Sequence, residues 1–150
     1  MAATDSGSQI SAASFVLSVD GAEVATFSEL NAISSEVEPT PTTSTGTTTH
    51  TDSYGTASPP TVTLTRAVDG STYTWTWHTA VLNADPTARR NCTLALQNAS
   101  GQTLLTFVLE NAWLSSVDIT GEQSGESQLV METDQFVCDS IAIQPNPAPA

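Results

Sequence analysis

The chain has 150 residues, which is enough for one domain with a real core. Sixteen acidic residues against three arginines, and no lysine, give a net charge of −13. This balance argues against nucleic acid and anionic membrane surfaces as bound partners, because phosphate contacts need Lys and Arg. The excess of acidic residues is consistent with a role in solubility, in salt tolerance or in lining an acidic channel. The abundance of Ser and Thr indicates an all-β protein.

The beginning of the chain carries no targeting signal. Residues 1–13 are small and polar, without the basic and apolar regions of a secretory signal, and predict a flexible N-terminus. No stretch approaches the ~20 apolar residues of a membrane helix. We therefore expect assembly in the cytoplasm without membrane anchoring. Cys92 and Cys138 are then expected to be buried free thiols, although a bridge between neighbouring strands stays open.

The first third of the chain predicts a hairpin followed by an unusual loop. A strand over 15–19, a turn at Asp20-Gly21 and a returning strand over 22–27 form the hairpin, and the chain continues extended over 33–38. Residues 39–60 contain four prolines, many threonines and no aliphatic side chain larger than alanine. Such a segment cannot form a core, so we predict a long exposed loop; loops of this length are usually functional or disordered.

The aromatic segment after the strand over 62–66 is ambiguous. Tyr73, Trp75 and Trp77 alternate as in a half-buried strand, whereas the spacing of Trp77 and Val81 suits a helix. Beyond it, further apolar runs predict strands over 92–96, 103–109, 115–119 and 127–138. The Pro-rich ending, 141–150, is predicted to be a disordered tail, which leaves one domain over 14–140.

Residues with catalytic or metal-binding chemistry are scarce. The two histidines, His50 and His78, have no second His or Cys at ligand spacing, so no metal site is predicted. There is no Gly-x-Ser-x-Gly elbow and no Gly-rich phosphate loop, and scattered carboxylates decide nothing in an acidic protein. We predict that the protein is not an enzyme and uses no cofactor.

Several short stretches follow one another in a characteristic order along the chain. The segment 15–38 contains an Asp-Gly turn, then Phe-Ser-Glu and Ser-Ser-Glu-Val-Glu; Val-Thr-Leu-Thr-Arg-Ala follows at 62–67, Arg-Arg-Asn-Cys-Thr-Leu at 89–94, Phe-Val-Leu-Glu-Asn-Ala-Trp-Leu at 107–114 and Val-Met-Glu-Thr-Asp-Gln-Phe-Val at 130–137. Together these stretches resemble the tail-tube proteins of contractile phage tails and phage-tail-like contractile injection systems. The order and spacing over roughly 15–140, not any single motif, make the resemblance.

The resemblance implies two packed antiparallel β-sheets, sandwich- or barrel-like, with one short α-helix near 71–83 and a long extended hairpin loop over 39–60. It also implies that six subunits join their sheets into a ring. Such rings would stack into a hollow tube inside a contractile sheath, with sheath and baseplate proteins as partners. Cargo or DNA would pass through the lumen without specific binding. One departure is the loop, which is rich in Thr and Pro where the family commonly carries charged residues.

Three groups of residues are predicted to carry this role. The ring-stacking loop comprises Pro39, Thr43, Thr48, His50, Tyr54 and Pro60. The lumen-facing candidates are Glu36, Glu38, Glu132 and Asp134, which lie on strands with alternating polar residues; the alternative is an outer wall facing the sheath. The predicted core contains Phe15, Phe27, Leu64, Trp77, Leu94, Phe107 and Trp113. Rival interpretations are a secreted ring-forming tube protein of the bacterial secretion machine and a β-sandwich carbohydrate-binding or adhesin module.

Overall fold

Eight strands and one helix form the protein in a computed structural model that describes residues 9–43, 50–125 and 127–145. All strand pairings are antiparallel. The elements in chain order are β1 (Ser14–Val19), β2 (Ala22–Phe27), β3 (Glu29–Thr43), β4 (His50–Ala67), α1 (Tyr73–Leu82), a 3-10 turn (Pro86–Ala88), β5 (Arg90–Gln97), β6 (Thr103–Ser124), β7 (Ser127–Val137) and β8 (Ser140–Pro145).

The strands form one hydrogen-bonded path, β2-β1-β5-β6-β7-β4-β3, with β8 pairing β6 off this path. The long strand β6 pairs β5 and β8 with its first part and β7 with its second part. Asn111 has a positive φ of 50° at the change of partner, and a register shift follows between Leu114 and Ser116. This irregular stretch divides the path into a first half-sheet (β2, β1, β5, β8 and the start of β6) and a second half-sheet (β3, β4, β7 and the rest of β6).

The core lies between the two half-sheets. Phe27 from the first meets Phe136 from the second edge to face, with ring centroids 6.4 Å apart. The predicted mainly-β fold with a short helix and an extended hairpin is therefore confirmed, and the two predicted sheets are halves of one sheet that does not close into a barrel within the described residues. Of the predicted core residues, five are buried: Phe15, Phe27, Leu64, Trp77 and Leu94.

Two predicted core residues lie at its margin. Phe107 is partly buried and packs against the core. Trp113 is not a core residue: its neighbours Ala112 and Leu114 are fully buried, so strand alternation turns the indole to the other side of β6. There Trp113 lies under the Arg89 guanidinium, 5.8 Å from the ring centroid. The prediction of a buried Trp113 is wrong for this reason.

The aromatic segment forms helix α1, which packs on β6. Thr74 and Trp77 face the protein, and Trp75 faces away with 51% of its surface exposed. The indole Nε1 of Trp77 donates a hydrogen bond to the Ala88 carbonyl at 2.6 Å, and its ring lies 5.6 Å from that of Phe136. These contacts require helical spacing, since a strand would have placed Trp75 and Trp77 on one side.

The C-terminal segment differs from its prediction. Residues 140–145, most of which belong to the segment that the sequence predicts to be a disordered tail, form β8 and pair with β6 from Leu105 to Glu110. Ile141 packs against the core, so apolar side chains within the Pro-rich composition anchor this strand. Residues 1–8 and 146–150 lie outside the described part of the chain.

Candidate functional site

The hairpin of β3 and β4 extends beyond the rest of the sheet. Pairing between β4 and β7 begins at Thr61, whereas β3 and β4 pair with each other as far as Thr43 and His50. We call this two-stranded extension, residues 34–43 and 50–60, the arm. An isolated two-stranded ribbon is marginally stable in water, so the arm is a candidate for contact with another molecule.

The two sides of the arm differ in chemistry. Ile33 pairs with Val62 on the side of β3 that faces the core, and every second residue after it keeps that side. Val37 and Tyr54, from the pairs Val37–Ala57 and Pro39–Tyr54, therefore share one side; they are 49% and 97% exposed. Glu36 and Glu38 are exposed on the opposite side. The arm thus has an apolar side and an acidic side.

The residues of the predicted stacking loop lie at different points of this arm. Pro39 and Tyr54 are exposed along it. Pro60 is buried at its base, where its carbonyl accepts the Cys138 N–H at 3.1 Å, so it is a structural residue rather than a stacking one. Thr43 and His50 pair through their backbones. Their side chains, and all of Thr48, lie outside the described part of the chain.

Glu132 and Asp134 are buried in the core, so the prediction that they face a lumen is wrong. Their exposed fractions are 3% and 0%. They share the core-facing side of β7 with Phe136, and Arg66 on β4 lies opposite Glu132. An Arg66 guanidinium nitrogen donates to Glu132 Oε1 at 3.3 Å, and the Thr74 hydroxyl donates to Glu132 Oε2 at 2.7 Å. A buried cation on β4 thus explains why an acid is tolerated in the core.

The two acids have opposite titration behaviour. Burial opposes ionisation of Glu132, but the neighbouring Asp134 carboxyl, the Thr74 hydroxyl and Arg66 outweigh it and lower the pKa of Glu132. Burial first, and proximity to Glu132 second, raise the pKa of Asp134 to about 9. Neither Asp134 oxygen has a partner at hydrogen-bonding geometry, so the influence of one acid on the other is a matter of proximity. Asp134 is therefore neutral at pH 7.

The opposite side of the second half-sheet is polar and nearly uncharged. We call it the polar face: Thr63 and Gln135 pair across β4 and β7, as do Thr65 and Thr133, and β6 continues the rows with Ser116 and Asp118. The Thr65 and Thr133 hydroxyls are 3.1 Å apart. Glu36 and Glu38 extend this same side along the arm. Sequence reasoning missed the polar face, although Met131, Thr133 and Gln135 alternate with the buried residues of β7.

A small apolar surface lies where the β4–β7 pairing ends away from the arm, and the β6–β7 pairing continues beyond it to Ser124 and Ser127. We call Val68, Ile119 and Val130 the end patch; they are 38%, 50% and 39% exposed. The Val68 N–H donates to the Val130 carbonyl at 3.0 Å, and Ile119 lies opposite Glu132 on β6. All three lie on the core-facing side of their strands: Val68 and Val130 lie beyond the buried acids, and Ile119 lies beside Glu132.

In the described parts of the chain, the histidines and cysteines do not form a metal site or a disulfide bond. No group of three His, Cys, Asp or Glu residues there could hold a metal ion. His78 Nδ1 lies 2.9 Å from the Leu114 carbonyl, which makes it a packing residue of α1. Cys92 and Cys138 are free, buried thiols. Over the same ranges no helix has the length and apolarity needed to cross a bilayer.

The family model of the T4-like virus tail tube protein gp19 matches residues 11–142. No curated protein sequence matched the chain significantly. Similar folds occur in a chain of the anti-feeding prophage baseplate (TM-score 0.71, 16% identity, 97% of this chain and 98% of that one), in the PVC sheath-tube complex of an extracellular contractile injection system (0.68, 18%, 93% and 94%), and in Hcp1 from Flavobacterium johnsoniae (0.53, 16%, 88% and 95%). The chain belongs to the T4-like virus tail tube protein gp19 family.

Proposed function

We propose that six copies of this chain join into a ring, and that the rings stack into the inner tube of a contractile phage tail or injection system. The observation that carries the proposal is the family match over residues 11–142. Its support is the fold similarity to chains of the six-fold symmetrised prophage baseplate and of a sheath-tube complex. The role is structural rather than enzymatic, and sheath, baseplate and further copies of the chain are the partners.

The open sheet edges support ring formation. The hydrogen-bonded path ends at β2 and at β3, and β8 forms another edge beside β6. Unpaired strand edges are a liability that proteins cover or pair. In a closed ring an edge of one copy meets an edge of the next, so ring closure pairs backbone groups that are open in the single subunit.

The polar face of the second half-sheet is the proposed lumen wall. Hydroxyl and amide groups of Thr63, Thr133 and Gln135 present no cation that would hold passing DNA or an anionic cargo. Glu36 and Glu38 lie on the same side, and repeated around a ring they would give the bore a negative potential. Assembly takes place in the cytoplasm, and the finished tube is part of a virion tail or an injection particle.

The purified chain tests this proposal directly. We expect analytical ultracentrifugation to detect a species of six times the chain mass, and negative-stain images to contain rings with a central hole and stacks of them. A protein that stays monomeric at all concentrations and ionic strengths would contradict the proposal. In that case binding to a glycan array would be the next measurement, because a monomer with exposed Tyr54 and Trp75 fits a carbohydrate-binding or adhesin module.

A further inference from the structure

Helix α1 depends on the rest of the protein for its stability. It has 10 residues, whereas isolated helices shorter than ~12–15 residues are marginal in water. Its N-cap residue Thr72 makes no side-chain capping bond, and no acidic residue in the first turn or basic residue in the last turn offsets the helix dipole. Its buried side chains are Thr74 and Trp77. The contacts of these two side chains are therefore central to keeping α1 on the sheet.

Thr74 fastens the first turn of α1 to a buried cluster of polar side chains. Its hydroxyl donates to Glu132 Oε2 at 2.7 Å and accepts from Arg66 Nη2 at 3.4 Å. The same Arg66 nitrogen donates to Glu132 Oε1 at 3.3 Å. Each of the three residues is at most 3% exposed. We call this triangle of Arg66, Thr74 and Glu132 the clasp, because it joins β4, α1 and β7.

Asp134 places a second acid beside the clasp. Neither of its carboxyl oxygens has a hydrogen-bond partner. Leu64 of β4 and Val117 of β6 lie opposite Asp134 and offer no polar side-chain atom. On the side of β2, the Phe27 ring lies 5.8 Å from the guanidinium carbon of Arg66. One buried cation thus faces two buried acids, so the charges balance only while one acid keeps its proton.

The hydrogen bonds identify the acid that keeps the proton. Glu132 accepts a bond from Arg66, whereas Asp134 accepts none. Burial first, and the nearby Glu132 second, raise the pKa of Asp134 to about 9. Two further titratable groups lie at the margin of the cluster. Asp69 pairs with Arg66 at 3.2 Å from the surface, and His78 on α1 is bonded to a carbonyl of β6.

We propose that the proton on Asp134 holds α1 on the sheet, and that loss of this proton opens α1 locally while the strands stay paired. An ionised Asp134 competes with Glu132 for Arg66. The Arg66 Nε is buried and has no partner, so it is available to a second carboxylate. Turning Arg66 towards Asp134 breaks its contact with Thr74 and weakens the clasp. The inference concerns the single subunit and does not depend on the proposed tube.

The surroundings of α1 leave room for this opening. A cleft of about 130 Å³ lies between α1 and the 3-10 turn, lined among others by Tyr73, Thr76, Ala80 and Thr87. The helix takes no part in the strand pairing of the sheet. Separation of α1 therefore breaks side-chain contacts and leaves the hydrogen bonds between strands intact.

Hydrogen exchange of the purified protein, resolved by residue, measures the opening between pH 7 and pH 9. Dividing each rate by the intrinsic rate of an unfolded peptide at the same pH gives the opening constant. Because opening of α1 releases one proton, its opening constant should rise by about tenfold per pH unit, and by up to about 100-fold over this range. The amide of Leu94, fully buried on β5, reports global unfolding and should have a much smaller opening constant.

Asp134→Asn is the decisive comparison, because the asparagine side chain has no proton to release in this range. Its α1 amides should have an opening constant that does not change with pH. An opening constant of wild-type α1 that is independent of pH would overturn the proposal. So would the same pH dependence in Asp134→Asn, or opening constants of α1 that equal that of Leu94.

A second pair of variants tests the anchor itself. Thr74→Val keeps the volume of the side chain and removes its hydroxyl, so the opening constant of α1 at pH 7 should rise by about tenfold, as expected for one lost hydrogen bond. Thr76→Val makes the same change on the exposed side of α1 and should have little effect. Equal opening of α1 in the two variants would contradict the role of Thr74 in the clasp.

Discussion

Replacing Asp134 by asparagine tests how the buried acids affect stability. Asp134 is fully buried and has no hydrogen-bond partner, and burial raises its pKa from the ordinary value of 3.8 to about 9. At pH 7 the unfolded chain has lost this proton and the folded chain keeps it, so the group destabilises the fold. This loss of stability begins as pH rises above about 4 and grows until about pH 9.

The magnitude follows from the size of the shift. One pKa unit corresponds to about 1.4 kcal/mol, and roughly three units separate pH 7 from the unfolded pKa. Asparagine has the same shape as aspartic acid, and its side chain does not ionise in this pH range. We therefore expect Asp134→Asn to raise the free energy of unfolding by about 1–4 kcal/mol at pH 7, and to change it little at pH 3, where aspartic acid is protonated in both states.

Urea unfolding at several pH values, followed by tryptophan fluorescence, measures this effect. The difference between wild type and variant should increase from pH 4 towards pH 9. Glu132→Gln is the matched control with the opposite sign. It removes the buried partner of Arg66, which keeps only its ion pair with the exposed Asp69, and should cost about 3–5 kcal/mol at pH 7. A variant Asp134→Asn that is no more stable than wild type at pH 8, with the same pH dependence, would refute the assignment of a neutral Asp134.

Three further outcomes are expected. Trp77→Ala should lose about 3–5 kcal/mol of unfolding free energy and Trp75→Ala less than about 1, and the reverse ranking in thermal unfolding would contradict the helical packing of α1. Burial raises the pKa of the Cys92 thiol to about 12 and that of Cys138 to about 11. Both thiols should therefore resist iodoacetamide at pH 8 until the protein is unfolded. Rapid labelling of the folded protein, detected by mass spectrometry, would argue against their burial. Deleting residues 42–57 should leave folded rings without long tubes, and normal tubes in micrographs would exclude a stacking role for the arm.

Local patterns predicted most of the strands, because short alternating runs and Asp-Gly turns are decided by nearest neighbours. The hairpin of β1 and β2 formed as expected, with Asp20 and Gly21 at positive φ. The helix could not be chosen from periodicity: Tyr73, Trp75 and Trp77 alternate as in a strand, whereas Trp77 and Val81 have helical spacing. Packing of Trp77 on Phe136 favours the helix. The resemblance to tail-tube proteins, rather than periodicity, predicted it.

The side of the sheet on which a residue lies was harder to predict. Alternation of polar residues along 127–138 predicts that Glu132 and Asp134 face a lumen, although the same side of the strand also carries Phe136. The opposing signal was Arg66, which shares the alternation of Val62 and Leu64 and therefore points into the core, where it requires an acid. Pairing between strands distant in sequence decides such cases, and no local pattern encodes it. The same holds for β8, which forms because β6 offers it an edge.

A cryo-electron microscopy map of the assembled protein tests the central claim most directly. The account predicts stacked six-fold rings whose bore is lined by the polar face, with Thr63, Thr133 and Gln135 towards the axis and Glu36 and Glu38 on the same side. It also predicts that Asp134 stays enclosed within each subunit. A bore lined instead by β1 and β5, or an assembly in which the polar face is turned to the outside, would contradict it.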